Sequence, residues 1–241
     1  MKNMFSSMRM GLAAAGLALL LFSSCRKNDN DNATQQVSGL MVFNLVADKA
    51  AGIGVTLNSN SISNVPYSYA GYSGAYLSVY PGSYTVQAYD ANGNPSPITS
   101  TSNGFMPNKY YSLYVTGANG VYGNVFSEDN YDSLSSTNGQ AYIRYINAIP
   151  DSSDPRVTIT AANGTIVANS TASYQAVSQF TQVAPGQVTI AVNNDSNIQS
   201  NRTITLEAQK AYTVLLIGIP GSTDAAKAVQ IKYVENGKLT P

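Results

Sequence analysis

The chain has 241 residues, 44% of them hydrophobic and only 11% charged, with 13 basic and 13 acidic side chains and a formal net charge of zero. It has no His, and Cys25 is its one Cys, which excludes Ser-His-Asp and Cys-His catalysis and any intramolecular disulfide. It shows no basic patch and no Gly-Lys-Ser/Thr phosphate loop, so nucleic-acid binding and phosphate cradling have no support.

Lys2 and Arg9 precede a 13-residue apolar run at 10–22. That run is too short to span a bilayer comfortably and fits the apolar region of a signal peptide. Phe22-Ser23-Ser24-Cys25 then resembles the lipobox of bacterial lipoproteins, although Phe22 departs from the commonest Leu. The resemblance implies that residues 1–24 are removed and that Cys25 is acylated and becomes the first mature residue. Several acyl chains give an anchor that one chain cannot. Residues 25–38 are polar and read as a flexible tether. Asp29 and Asp31 lack the Gly and distal Glu of a calcium loop, so no metal site is assigned. Without Lys2 and Arg9 there remain 11 basic and 13 acidic residues, a net of −2.

Beyond the tether, β-branched and aromatic segments alternate with Gly, Pro, Asn and Ser, the pattern of an all-β protein. The first repeat is placed at 39–136. It opens with an apolar strand at 40–47. Short strands follow at 55–57 and 61–65, around an Asn58-Ser59-Asn60 turn. A Tyr-rich stretch at 67–76 leads to strands at 75–80 and 83–89, separated by Pro81-Gly82. Strands at 110–116 and 121–126 close the repeat. Residues 127–140, rich in Ser, Asp and Asn, read as a linker.

The second repeat, at 137–241, restates this order. Residues 141–149 match 40–47, with Asn147 for Asn44 and Asp151 for Asp48. Val157-Thr158-Ile159 matches Val55-Thr56-Leu57, and Asn163-Gly164 marks a hairpin turn. Phe180 matches Tyr76, and Pro185-Gly186 matches Pro81-Gly82. After that turn Val188, Ile190 and Val192 match Tyr84, Val86 and Ala88, alternate positions on one strand face. Tyr212 matches Tyr111, and a last strand covers 229–234. The offset stays between 101 and 104 residues, the mark of a duplicated domain rather than a solenoid. Seven or eight short strands per copy suit two tandem immunoglobulin-like β-sandwich domains. Tyr111 and Tyr212 stand where such sandwiches bury a Tyr with a bonded hydroxyl.

Residues 144–151, 157–159, 163–165, 183–186 and 212–214 together resemble the bacterial family called domain of unknown function 4397. The resemblance covers nearly all of 39–241, in two copies. It implies an extracytoplasmic β-sandwich with no established activity, and no cofactor is assigned. Members often carry His at the position of Asn147, so any role of that His is absent here. The chain is also similar to lipoproteins of the Bacteroidetes group. That similarity implies an outer-membrane location, on the cell surface or the periplasmic face. It also implies candidate O-glycosylation at Ser133, in the triplet Asp132-Ser133-Leu134.

Paired carboxylates are the one enzymatic option left. Glu128, Asp129 and Asp132 read as solvating the linker, and Asp151 and Asp154 as capping turns, so no catalytic residue is assigned and the chain is not expected to be an enzyme. Tyr is the best functional lead, because 12 of the 17 lie in the first repeat. Tyr72, Tyr80, Tyr110 and Tyr114 are the candidate ligand-binding residues. Tyr72, Tyr80 and Tyr110 replace Ala of the second repeat, and Tyr110 and Tyr114 flank Tyr111 on the opposite strand face. Exposed Tyr rings offer flat apolar area and a hydroxyl at low entropy cost. Two readings follow. One is a non-catalytic, lipid-anchored cell-envelope protein that acts as a binding or scaffold module of unassigned ligand, with an envelope protein as a candidate partner. The other is glycan capture through the Tyr of the first domain.

Overall fold

The computed structural model describes residues 36–135 and 137–239; the lipobox, Cys25, Asp29 and Asp31 lie outside these residues. The fold is built around two strands that are buried along their whole length, β1 (Ser38–Val46) and β9 (Ala141–Asn147). Each lies parallel to a second, almost wholly buried strand, β1 to β7 (Tyr110–Ala118) and β9 to β15 (Lys210–Ile217). Strands covered on both faces read as continuous apolar runs instead of alternating ones, and these do.

The first repeat forms two four-stranded sheets. The inner sheet has the order β4 (Leu77–Val79), β1, β7 and β8 (Val121–Glu128). The outer sheet has the order β3 (Asn60–Ser61), β2 (Ile53–Leu57), β5 (Gly82–Asp90) and β6 (Thr99–Phe105). The second repeat copies both. Its inner sheet is β12 (Thr181–Val183), β9, β15 and β16 (Gln230–Lys238). Its outer sheet is β11 (Ile166–Thr171), β10 (Arg156–Ala161), β13 (Gly186–Asn193) and β14 (Gln199–Leu206). Two tandem β-sandwiches result, as the repeat predicts. Among the described residues the one helical element is a 3-10 turn at Tyr131–Ser133.

Each sandwich has its own core. Leu40 and Val42 meet Val55, Val86 and Leu113 in the first, and Ile143 and Tyr145 meet Ile159, Ile190 and Val214 in the second. The alternate residues Met41, Phe43 and Leu45 point the other way, onto Ile146, Ala148, Leu215 and Ile217 of the second repeat. The two inner sheets therefore share a third apolar layer, and residues 36–241 make one compact unit.

The Pro-Gly pairs are corners between sheets, not hairpin turns. β4 lies in the inner sheet and β5 in the outer one, and β12 and β13 repeat this. Gly82 (φ 145°) and Gly186 (φ 125°) take the positive φ that lets the chain change sheet. Asn163-Gly164 does join a hairpin, between β10 and β11. β6 and β14 are polar strands with little alternation to reveal them, and the sequence reading does not anticipate them. The expected strand at 61–65 shrinks to Asn60–Ser61, and the expected strand at 229–234 extends to Lys238.

Equivalent residues do equivalent work in the two copies. The Tyr111 hydroxyl accepts the backbone N–H of Met106 at 3.2 Å, and the Tyr212 hydroxyl accepts that of Glu207 at 3.0 Å. These are tyrosine corners. Asn44 donates from Nδ2 to the carbonyl of Tyr67 (2.7 Å), and its Oδ1 accepts the N–H of Val46 (2.9 Å). Asn147 does the same with Ala172 (2.8 Å) and Ile149 (3.1 Å). Each Asn pins the loop that crosses between sheets.

Replacing Asn147 by Ala removes both bonds at a fully buried site and leaves a carbonyl and an N–H unmatched. At about 1–3 kcal/mol for each group left without a partner, urea unfolding is expected to lose about 2–4 kcal/mol. Tyr212→Phe, which loses a single bond, is expected to cost about 1 kcal/mol.

Candidate functional site at the seam between the repeats

The position equivalent to Met41 in the second repeat is Arg144. It sits mid-strand in β9, in the layer between the inner sheets, at 2% exposure. A guanidinium taken out of water must be paired and hydrogen-bonded. Its partner is Asp129, also buried, one residue past the end of β8. Arg144 Nε donates to Thr213 Oγ1 (2.9 Å), one terminal nitrogen donates to Ser127 Oγ (3.2 Å), and the other donates to Ser112 Oγ (3.0 Å). The Phe180 ring lies 4.3 Å from the guanidinium carbon, within cation–π range. Asp129 Oδ2 accepts the hydroxyls of Tyr76 (2.5 Å) and Ser112 (2.7 Å). Ser112 and Thr213 occupy equivalent positions on β7 and β15, as do Tyr76 and Phe180 just before β4 and β12, so both repeats supply the cage.

This corrects the reading of 127–140 as a solvated connector. Ser127 and Glu128 still belong to β8, and Asp129 is the acid of the buried pair. Tyr131 packs between Tyr110 and Phe180, and Leu134 joins a small apolar cluster around Tyr142 and Leu239. Glu128 and Asp132 do stay on the surface, both bonded to Lys109. Asp151 caps its turn through Ser153, as expected. The signal that could have revealed the pair is the charge itself. A basic residue inside an otherwise apolar opening strand requires an acid nearby.

Beside this pair opens a cleft of ≈ 420 Å³. Tyr76, Tyr110 and Tyr131 wall one side, and Asn236, Lys238 and Leu239 at the end of β16 form the other. The three Tyr rings hold one another edge to face: Tyr76 to Tyr110 at 5.0 Å, Tyr110 to Tyr131 at 5.6 Å and Tyr76 to Tyr131 at 6.1 Å. The Tyr76 and Tyr131 hydroxyls are 2.6 Å apart. Gly39 permits the arrangement, because a Cβ there would fall 2.5 Å from the Tyr110 ring.

The four candidate Tyr do not form one surface. Tyr110 (44% exposed) lines the cleft. Tyr80 (57%) sits at the inter-sheet corner over a separate hollow with Tyr84 and Leu57. Tyr72 (37%) leans on Phe43 by a third depression. Tyr114 is fully buried, stacked on Phe43 at 4.8 Å, so its assignment to an exposed face is overturned. The face of β7 opposite the first core is covered by the second repeat, and Tyr114 belongs to that cover. The residues that sequence reasoning missed are Tyr76, Tyr131, Asn236 and Lys238, which converge only through the docking of the repeats. Ser133 lies exposed on the 3-10 turn, its hydroxyl donating to the carbonyl of Asn130 (2.6 Å).

Burial, and then the neighbouring Asp129 carboxylate, push the Tyr76 and Tyr131 hydroxyls well above the ordinary phenol value. Burial alone pushes Tyr69 to about 12. Such groups keep their protons when folded and release them on unfolding at high pH. Their stabilisation is therefore complete below the unfolded value of 10.0 and falls as pH rises above it. A phenolate absorbance titration is expected to show a late step from Tyr69, Tyr76 and Tyr131 that coincides with loss of near-ultraviolet circular dichroism. Arg144→Met alone strands Asp129 and is expected to cost about 3–5 kcal/mol in urea unfolding. Arg144→Met combined with Asp129→Asn is expected to recover most of that loss.

No curated protein matches the chain. Among solved structures, the chain is similar to a Bacteroides ovatus protein described as a "putative cell adhesion protein", at 13% identity over 84% of this chain and 98% of that one. The TM-score is 0.22, too low to transfer anything. The family described as "Domain of unknown function (DUF4397)" matches residues 38–153 and again 141–236. The first match spans β1–β8 and runs on through β9, the second spans β9 to the middle of β16, and the chain therefore belongs to this family, with two copies in tandem.

Proposed function

We propose that the chain is a non-catalytic, lipid-anchored protein of the cell envelope that acts as a binding or scaffold module. The observation that carries this reading is the seam. A polar cluster drawn from both repeats, around Arg144 and Asp129, is buried and spent on joining two sandwiches, while the cleft beside it stays open. A pair closed off from solvent is suited to holding parts together, which supports a binding or scaffold role over a catalytic one. Among the described residues no three His, Cys, Asp or Glu side chains gather as a metal site would need. The short apolar leader and Cys25 support an acyl anchor and an outer-membrane location, facing either the surface or the periplasm. The exposed Ser133 is the site assigned to O-glycosylation. Glycan capture is the second reading, favoured by the open face of Tyr110 on its two supporting rings.

Growth with a clickable palmitate analogue is expected to label the wild-type chain and not Cys25→Ala. Equal labelling of both would sink the anchor. Protease treatment of intact and lysed cells then assigns the side. Loss of the chain from intact cells places it outside, and loss only after lysis places it in the periplasm.

A further inference from the structure

We infer that the seam cleft is a binding site for a single pyranose residue, at the end or in a branch of a glycan. This rests on the binding-module reading and assigns that module its ligand class. Three separate observations converge on the cleft.

Its aromatic wall is preorganised. Tyr110 is held on two sides by the Tyr76 and Tyr131 rings and beneath by the bare backbone of Gly39. A ring already fixed loses little freedom when a flat ligand settles on it. The apolar C–H face of a pyranose suits such a ring, and the sugar hydroxyls suit the polar groups around it.

The opposite wall holds an unmatched donor. Asn236 is 95% buried, since 5% of it is exposed, and its Oδ1 accepts the Thr213 hydroxyl at 2.6 Å. Its Nδ2 has no partner. A buried amide N–H without an acceptor costs free energy; this one is closed to solvent, so a ligand hydroxyl relieves it once the Asn236 side chain turns toward the cleft that it lines.

The rim carries an uncompensated cation. Lys238 stands directly across the ladder from Lys210, an unfavourable pairing of like charges. Lys210 is neutralised by Glu207 and Glu235, but no described acid pairs with Lys238. Lys238 thus keeps its donors for a ligand, and exposed Asp132 supplies an acceptor on the Tyr side. An aromatic platform, an amide, an ammonium and a carboxylate around one cleft are what a hydroxyl-rich ring requires. A flat apolar partner would leave Asn236 and Lys238 unanswered.

The test is affinity electrophoresis of the full chain in detergent, through gels containing dextran, laminarin, mannan, xylan, chitosan oligomers or polygalacturonate. Retardation in at least one gel is expected. Tyr110→Ala and the surface change Lys238→Ala are each expected to weaken it at least ten-fold, with Tyr80→Ala unchanged. Lys238→Ala keeps the test decisive if Tyr110→Ala fails to fold. Retardation lost in Tyr80→Ala but kept in Lys238→Ala would overturn the cleft while retaining glycan capture. No retardation in any gel would overturn the sugar assignment and leave the palmitate result, and the envelope module, standing.

Discussion

A guanidinium between two β-sheets cannot remain alone, and the way the two repeats meet goes with the way Arg144 is satisfied. Its acid comes from beyond β8 and its hydroxyls come from both repeats, so the two sandwiches meet in one register. Apolar layers gain their energy from area and packing and carry few directional bonds. A charge caged by directional bonds holds one geometry. Met41, Phe43 and Leu45 against Ile146, Ala148 and Leu215 supply the adhesion, and the pair supplies the alignment.

The seam has the character of an interface between two copies of one subunit, because both inner faces come from equivalent strands. Fusion in one chain removes the demand for symmetry. A basic residue repeated at both central positions would face its own like charge. Here one copy keeps Met41 and the other has Arg144, while the acid stands in the connector, which is present only once. Ser112 and Thr213 retain a trace of the symmetry, each holding a different nitrogen of the same guanidinium. At the far end of the seam, Tyr174 and Gln175 of the second repeat reach Thr116 of the first, and Gly123 leaves the room that Gln175 needs.

The cleft is a by-product of the same docking. Its Tyr wall belongs to the first repeat and its connector, and its Asn236–Lys238 wall to the last strand of the second. Neither sandwich alone has both. A tandem pair thereby acquires a cleft that duplication by itself does not supply, and three mutually packed rings form one of its walls.

Much of this was written into the chain. Short apolar strands, Pro-Gly turns and a steady offset of about a hundred residues specify two sandwiches, because local turn chemistry and side-chain alternation act within a few residues. The buried Tyr111 and Tyr212 are legible for the same reason, since each bonds a backbone group five residues away. The faces of β7 are not legible. Alternation says that Tyr114 opposes Tyr111, but only the docking of a second sandwich decides that the opposing side is covered. The same holds for Asp129, whose neighbours in sequence are those of a solvated loop. Its partner lies across an interface that no local pattern encodes. The sequence by itself determined the two sandwich repeats and their tyrosine corners; the tertiary structure alone decided which faces became interior, because burial between repeats depends on residues far apart in the chain.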